Sequence, residues 1–238
     1  MLNLGILASS GAAVASYDPT TDTNLIAWFD SSDTDSITDA AGAVSVFDDI
    51  STNGSDHTGR QTTGSHQPIT DANTINSLNV INYPSSDSLL LDTQIDFMDR
   101  TFLFVVKTTN TASQTLISRA GTTPNIGLRL GNLIPEVVAA INPWGGHTPS
   151  VSVTSGAASI VGFSGGVKVG YSVNDSSVVS GNDRANSDPF LFDLIGCRNV
   201  TSNPFIGDMG EILVLDEVLT GADLLLRIEY LNNKWACY

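Results

Sequence analysis

The sequence predicts an all-β protein closed by one C-terminal α-helix and preceded by an N-terminal arm. Ser, Thr, Asn, Asp and Gly are frequent while apolar residues are evenly spread, the composition of many short strands joined by turns. Helical period occurs only at the end of the chain. Leu224, Leu225, Ile228, Leu231 and Trp235 recur at steps of three and four just after a crowded apolar run, Ile212 to Leu215, that reads as a buried strand. At 238 residues a single β domain is expected.

The first seventeen residues hold the small-x-small run Ala13-Val14-Ala15, but no Lys or Arg precedes it and Asn3 and Gly5 interrupt the apolar stretch. They read as an uncleaved arm whose Leu2, Leu4, Ile6 and Leu7 need a surface to lie against. Residues 1–23 are therefore assigned to arm and linker, and 24–238 to the domain.

Leu25–Phe29 reads as a first buried strand ending at Asp30-Ser31-Ser32-Asp33. Gln67–Ile69, Ile75–Tyr83 and Asp87–Leu89 read as a strand pair, and Thr101–Lys107, apolar almost throughout, as a strand buried on both faces. Leu116–Ser118, Ile126–Leu130, Val151–Val153, Ala157–Phe163 and Val167–Asn174 continue the strands, and Leu191–Gly196 precedes the closing block. Between Ile134 and Ser150, Pro135, Pro143, Gly145, Gly146 and Pro149 predict a loop with no regular element. Thr220 and Asp223 stand where an N-cap and a first-turn acid belong.

Two runs carry a resemblance. Gly207, Glu211, Asp216, Leu219, Glu229, Tyr230, Leu231, Lys234 and Trp235 form a Gly-x-x-x-Glu strand, an Asp-x-x-Leu turn and a helix ending Tyr-Leu-x-x-Lys-Trp. Leu25, Trp28, Asp30, Ser32 and Asp33, followed by Ile37, Gly42, Val44, Phe47 and Asp49, form the matching opening. Together they resemble the LamG-like jelly-roll domains of the concanavalin A-like lectin/glucanase superfamily over residues 24–236. Phe47, Ile50 and Thr52 depart from the family pattern. The resemblance implies an antiparallel jelly-roll β-sandwich. The Leu4-Gly5-Ile6 opening also resembles those of phage tail and virion proteins.

A net charge of −15 opposes nucleic acid as a partner, and no apolar run reaches the ~18–20 residues of a membrane span. Cys197 and Cys237 are either free thiols or a pair. His57, His66 and His147 lack zinc-site spacing, and no glutamate has an acid two positions away on a strand, the arrangement a glycosidase would take from one strand. The chain is thus read as a non-enzyme without a required cofactor. Asp30, Asp33 and Asp35 lie in an acidic stretch without Lys or Arg and are the candidate ligands for Ca²⁺. Trp144 in its Pro-Trp-Gly-Gly-His loop, with His147 and Asn142, is the candidate for stacking on and bonding a sugar.

The favoured expectation is a virion structural protein, a tail-fibre, tail-tip or decoration module. Its arm would anchor it to other virion proteins in a homo-oligomer, and its domain would meet a host-surface glycan. The alternative is a secreted or cell-surface carbohydrate-binding module, and a glycan-cleaving enzyme ranks third.

Overall fold

A computed structural model describes residues 16–52, 57–121, 126–138, 150–180, 190–197 and 202–238. In chain order the strands are β1 (Leu25–Asp30), β2 (Ile37–Ala40), β3 (Ala43–Phe47), β4 (Gly59–Arg60), β5 (Thr74–Ile75), β6 (Leu78–Asn79), β7 (Ile81–Tyr83), β8 (Leu89–Asp96) and β9 (Thr101–Lys107). They continue as β10 (Gln114–Ser118), β11 (Gly127–Gly131), β12 (Ile134–Val138), β13 (Ala158–Gly165), β14 (Val169–Val173), β15 (Ser176–Ser180), β16 (Leu191–Ile195) and β17 (Gly207–Leu215), and one helix, α1 (Gly221–Trp235), closes the chain.

The strands pair antiparallel into a seven-stranded sheet, ordered β1-β17-β9-β13-β14-β15 with β7 alongside β17, and an eight-stranded sheet, ordered β12-β11-β10-β16-β8-β4-β3-β2. Their inner faces share one core. Phe29 of β1 meets Phe47 of β3 with ring centroids 5.4 Å apart, and Phe102 of β9 meets Phe192 of β16 at 5.7 Å. The protein is an antiparallel β-sandwich with a C-terminal helix.

β9 lies at the centre of its sheet, which is why its sequence does not alternate. Phe102, Phe104 and Val106 face the sandwich core, while Leu103 and Val105 face outward under α1. The helix buries Leu224, Ile228, Leu231 and Trp235 on Leu103, Val105, Ile160, Leu213 and Leu215, forming a second apolar layer. Leu225, counted with that stripe on spacing, is 43% exposed, one step outside the buried arc. Thr220 occupies the N-cap position as expected, yet its side chain makes no capping hydrogen bond. At the other end Ala236 turns into the left-handed region at φ 50°, and the Asn232 side chain accepts the amides of Cys237 and Tyr238.

Four expectations about strands change. Gln67–Ile69 is not a strand; Ile69 alone forms isolated bridges, to Ala43 and Asn82. Ile134–Val138, assigned to a loop because of Pro135, is a strand; it forms the outer edge of its sheet, where a residue without an N–H is tolerated. Val151–Val153 is not a strand, although Val153 is buried and its amide bonds the Leu133 carbonyl. The Ile75–Tyr83 run is broken by Asn76 and Ser77, both at positive φ, which fold β5 and β6 into a tight hairpin.

Candidate functional site

A cleft of about 250 Å³ opens on the outer face of the seven-stranded sheet. Register explains its polar floor. In β7 Ile81 and Tyr83 are buried in the core, so Asn82 between them faces out; Asp208 of β17 stands opposite Asn82 on one side and opposite Lys107, the last residue of β9, on the other. One row of three neighbouring strands thus presents amide, carboxylate and ammonium side by side.

The row is held in place. Asn82 Nδ2 and Asn73 Nδ2 each donate to Asp208 Oδ1 at 2.7 Å, Asn73 reaching over from the loop before β5. Thr108 Oγ1 donates to the Ile206 carbonyl at 2.6 Å, tying the segment after β9 to the start of β17. Gly207 is required between them, because a β-carbon there would collide with the Lys107 carbonyl oxygen and press on Thr108. With Oδ1 occupied, Asp208 Oδ2 and the two amide oxygens remain as acceptors, and Lys107 supplies a donor on a flexible stem. Acceptors and a donor gathered in one cleft are groups that can bond hydroxyls.

The residues that carried the sequence resemblance converge elsewhere, beneath α1. An irregularity in register between Met209 and Ile212 places one extra residue in β17 relative to β9, and Glu211 faces the helix. Its carboxylate accepts Trp28 Nε1 at 2.8 Å and Tyr230 Oη at 3.0 Å on Oε1, and Trp235 Nε1 at 2.7 Å and Lys234 Nζ at 2.9 Å on Oε2. Asp30, paired with Glu211 across β1 and β17, binds the same ammonium. Gly210 leaves room for the Trp235 ring, whose atoms lie 3.0–3.1 Å from where a β-carbon would be. Burial first, and then the Asp30 carboxylate, push the Glu211 carboxyl above the ordinary glutamate range, while Lys234 and Trp235 pull it back. Burial and the Glu211 carboxylate likewise raise the Tyr230 hydroxyl far above its usual value. Glu211 is 0% exposed, so this carboxylate pair fastens helix to sheet and touches no cleft.

The structure scatters the other predicted residues. Asp30 is taken by Lys234 and by Ser32, Asp33 accepts the Asp35 amide at 3.2 Å as the cap of a short 3₁₀ turn, and Asp35 is exposed. Among the described residues no group of three or more His, Cys, Asp or Glu gathers as metal ligands. Asn142, Trp144 and His147, and the arm residues Leu2, Leu4, Ile6 and Leu7, lie outside the described residues. Trp28, expected in the core, is half-buried with its indole N–H on Glu211, whereas Trp235 is fully buried. Both cysteines are buried and form no disulfide with each other, and burial pushes the Cys237 thiol up to about 12. Sequence reasoning missed Asn73, Asn82, Lys107 and Asp208. The local signal was Asp208, which shares the mostly apolar closing strand with Glu211 alone among charged residues.

No protein-family model matches the chain, and no curated protein matches its sequence. In structure the chain is similar to the Trypanosoma rangeli sialidase bound to sialic acid, with a TM-score of 0.60 at 9% identity over 90% of this chain. It spans 34% of the sialidase chain, about a third of that protein's length. It is also similar to domain 4 of AbnA, a GH43 extracellular arabinanase from Geobacillus stearothermophilus solved with arabinotriose: TM-score 0.56, 14% identity, 85% of this chain and 97% of that domain. These likenesses establish the β-sandwich. They also correct the reading of the chain as a non-enzyme, which rested on the spacing of acids along single strands: the fold is one that a sialidase and an arabinanase both carry. Nothing in the comparisons or the described residues supports the virion assignment.

Proposed function

We propose that the protein is a carbohydrate-binding β-sandwich that holds a neutral oligosaccharide in the Asn73, Asn82, Lys107 and Asp208 cleft. The observation that carries the reading is Asp208, fixed by two side-chain amides with Lys107 beside it, in an open cleft on a rigid sheet. A domain of the same fold in an extracellular arabinanase holds arabinotriose, which supports a glycan of pentose or hexose units as the ligand class. The net charge of −15 favours a neutral chain over a polyanionic one. The jelly-roll connectivity, a domain running from residue 24 to 238 and an extracellular or cell-surface location belong to the same proposal.

Affinity electrophoresis against arabinan, xylan, β-glucan and mannan tests it. Retardation by at least one polysaccharide is expected, and Asp208→Ala, which removes the acceptor and frees two amides, should weaken it by about tenfold or more. Retardation that survives Asp208→Ala and Asn82→Ala unchanged places the ligand elsewhere and overturns the assignment.

A further inference from the structure

A second pocket, of about 110 Å³, lies where β13 and β14 pass the start of α1. Along β13, Val161 and Phe163 face the sandwich core, so Gly162 and Ser164 face out; in β14, Gly170 and Ser172 do the same. Register sets Gly162 opposite Ser172 and Ser164 opposite Gly170. Each serine therefore leans over a glycine, and a β-carbon on either glycine would collide with the hydroxyl facing it. Alternating glycine and serine carves a trough where the neighbouring part of the same face carries Leu and Ile under the helix.

Two independent features point to an occupant. Ser172 is 2% exposed and Ser164 9% exposed, both hydroxyls line the pocket, and neither bonds a described residue. Both hydroxyls open into the pocket, where a ligand hydroxyl can take the place of water as their partner. The first turn of α1 also borders the pocket at Thr220 and Gly221, with no side chain capping its amides. The turn that leads into it is pinned, since Thr101 Oγ1 donates to the Glu217 carbonyl and accepts the Leu219 amide, both at 2.8 Å.

The lining contains no Lys, Arg, Asp or Glu, and Asp223 sits in the first turn of α1, where its charge offsets the partial positive end of the helix. A phosphate or carboxylate is thus disfavoured. Leu219 and Leu224 give the pocket an apolar wall. We propose that this trough is a second ligand site, distinct from the Asp208 cleft, which seats one neutral sugar ring, free or at the end of a chain. Ser164, Ser172 and the leading amides of α1 bond its hydroxyls, and its apolar face rests on Leu219 and Leu224.

Amide NMR of the full chain tests this with glucose, galactose, arabinose and xylose at millimolar concentrations, a trisaccharide of each in a second arm, and sodium phosphate in a third. Saturable shifts at Gly221, Ala222 and Ser172 are expected with at least one sugar; a free sugar that suffices identifies a single-ring site, and a response to the trisaccharide alone identifies a chain end. The Ser164→Ala/Ser172→Ala double variant removes only hydroxyls and should keep a native spectrum while losing about tenfold or more in affinity. Asp208→Ala should leave these shifts intact, which separates this site from the cleft. No saturable shift with any sugar, shifts that persist in the double variant, or a response to phosphate alone would each overturn the proposal.

Discussion

Among the described residues Lys234 is the single cation between Asp30 and Glu211, and the helix depends on it. In Lys234→Met the two carboxylates face each other across the β1 and β17 pair with no positive charge, which should cost about 3–5 kcal/mol near neutral pH, the range for breaking a buried pair. Glu211 titrates above the ordinary glutamate range in the folded protein even with Lys234 present, and losing the ammonium raises it further. A carboxyl raised in this way contributes stability below its unfolded pKa and loses it as pH rises through its folded one. The deficit of Lys234→Met relative to wild type should therefore shrink as pH falls toward about 4. Urea titrations at both pH values decide it: a deficit that stays constant would show that Glu211 does not titrate in the variant. These residues were visible in the sequence as a recurring pattern but not as a network. The acid that partners Glu211 comes from the neighbouring strand at the other end of the chain, where spacing along one strand has no access to it.

The same distinction between local and non-local information holds for whole elements. The 3.6-residue period located α1 and the unbroken apolar run located β9, because both signals lie within one segment. Pro135 misled because a proline excludes only the central positions of a sheet, and edge position is a property of the assembled sheet. The Asn82, Asp208 and Lys107 row was invisible for the same reason, since it exists only once β7, β17 and β9 lie side by side. For α1 the burial pattern separates two leucines that spacing grouped together. Leu231→Ala, at a fully buried position against β-sheet residues, should cost about 2–5 kcal/mol in chemical denaturation. Leu225→Ala should stay within about 0.5 kcal/mol. Equal losses at the two positions would mean that the helix is seated differently from the face described.

At the scale of the molecule, charge and binding are separable. Twenty-five acids against ten Lys and Arg give a negative field that keeps like-charged chains away, yet the proposed cleft contains one Asp beside one Lys, and the serine trough has no charged lining residue. Long-range field and short-range contact therefore respond differently to salt. Between about 0.01 M and 0.15 M ionic strength the Debye length falls from roughly 30 Å to about 8 Å, enough to screen surface charges from one another. A neutral sugar has no charge for that field to act on, and its hydrogen bonds form at contact distance. Affinity for a neutral polysaccharide should accordingly change by less than about twofold over this range, as read by isothermal titration calorimetry. A steep weakening with salt would mean that the ligand carries charge and meets Lys107 as an ion pair, which would replace a neutral glycan with an acidic one.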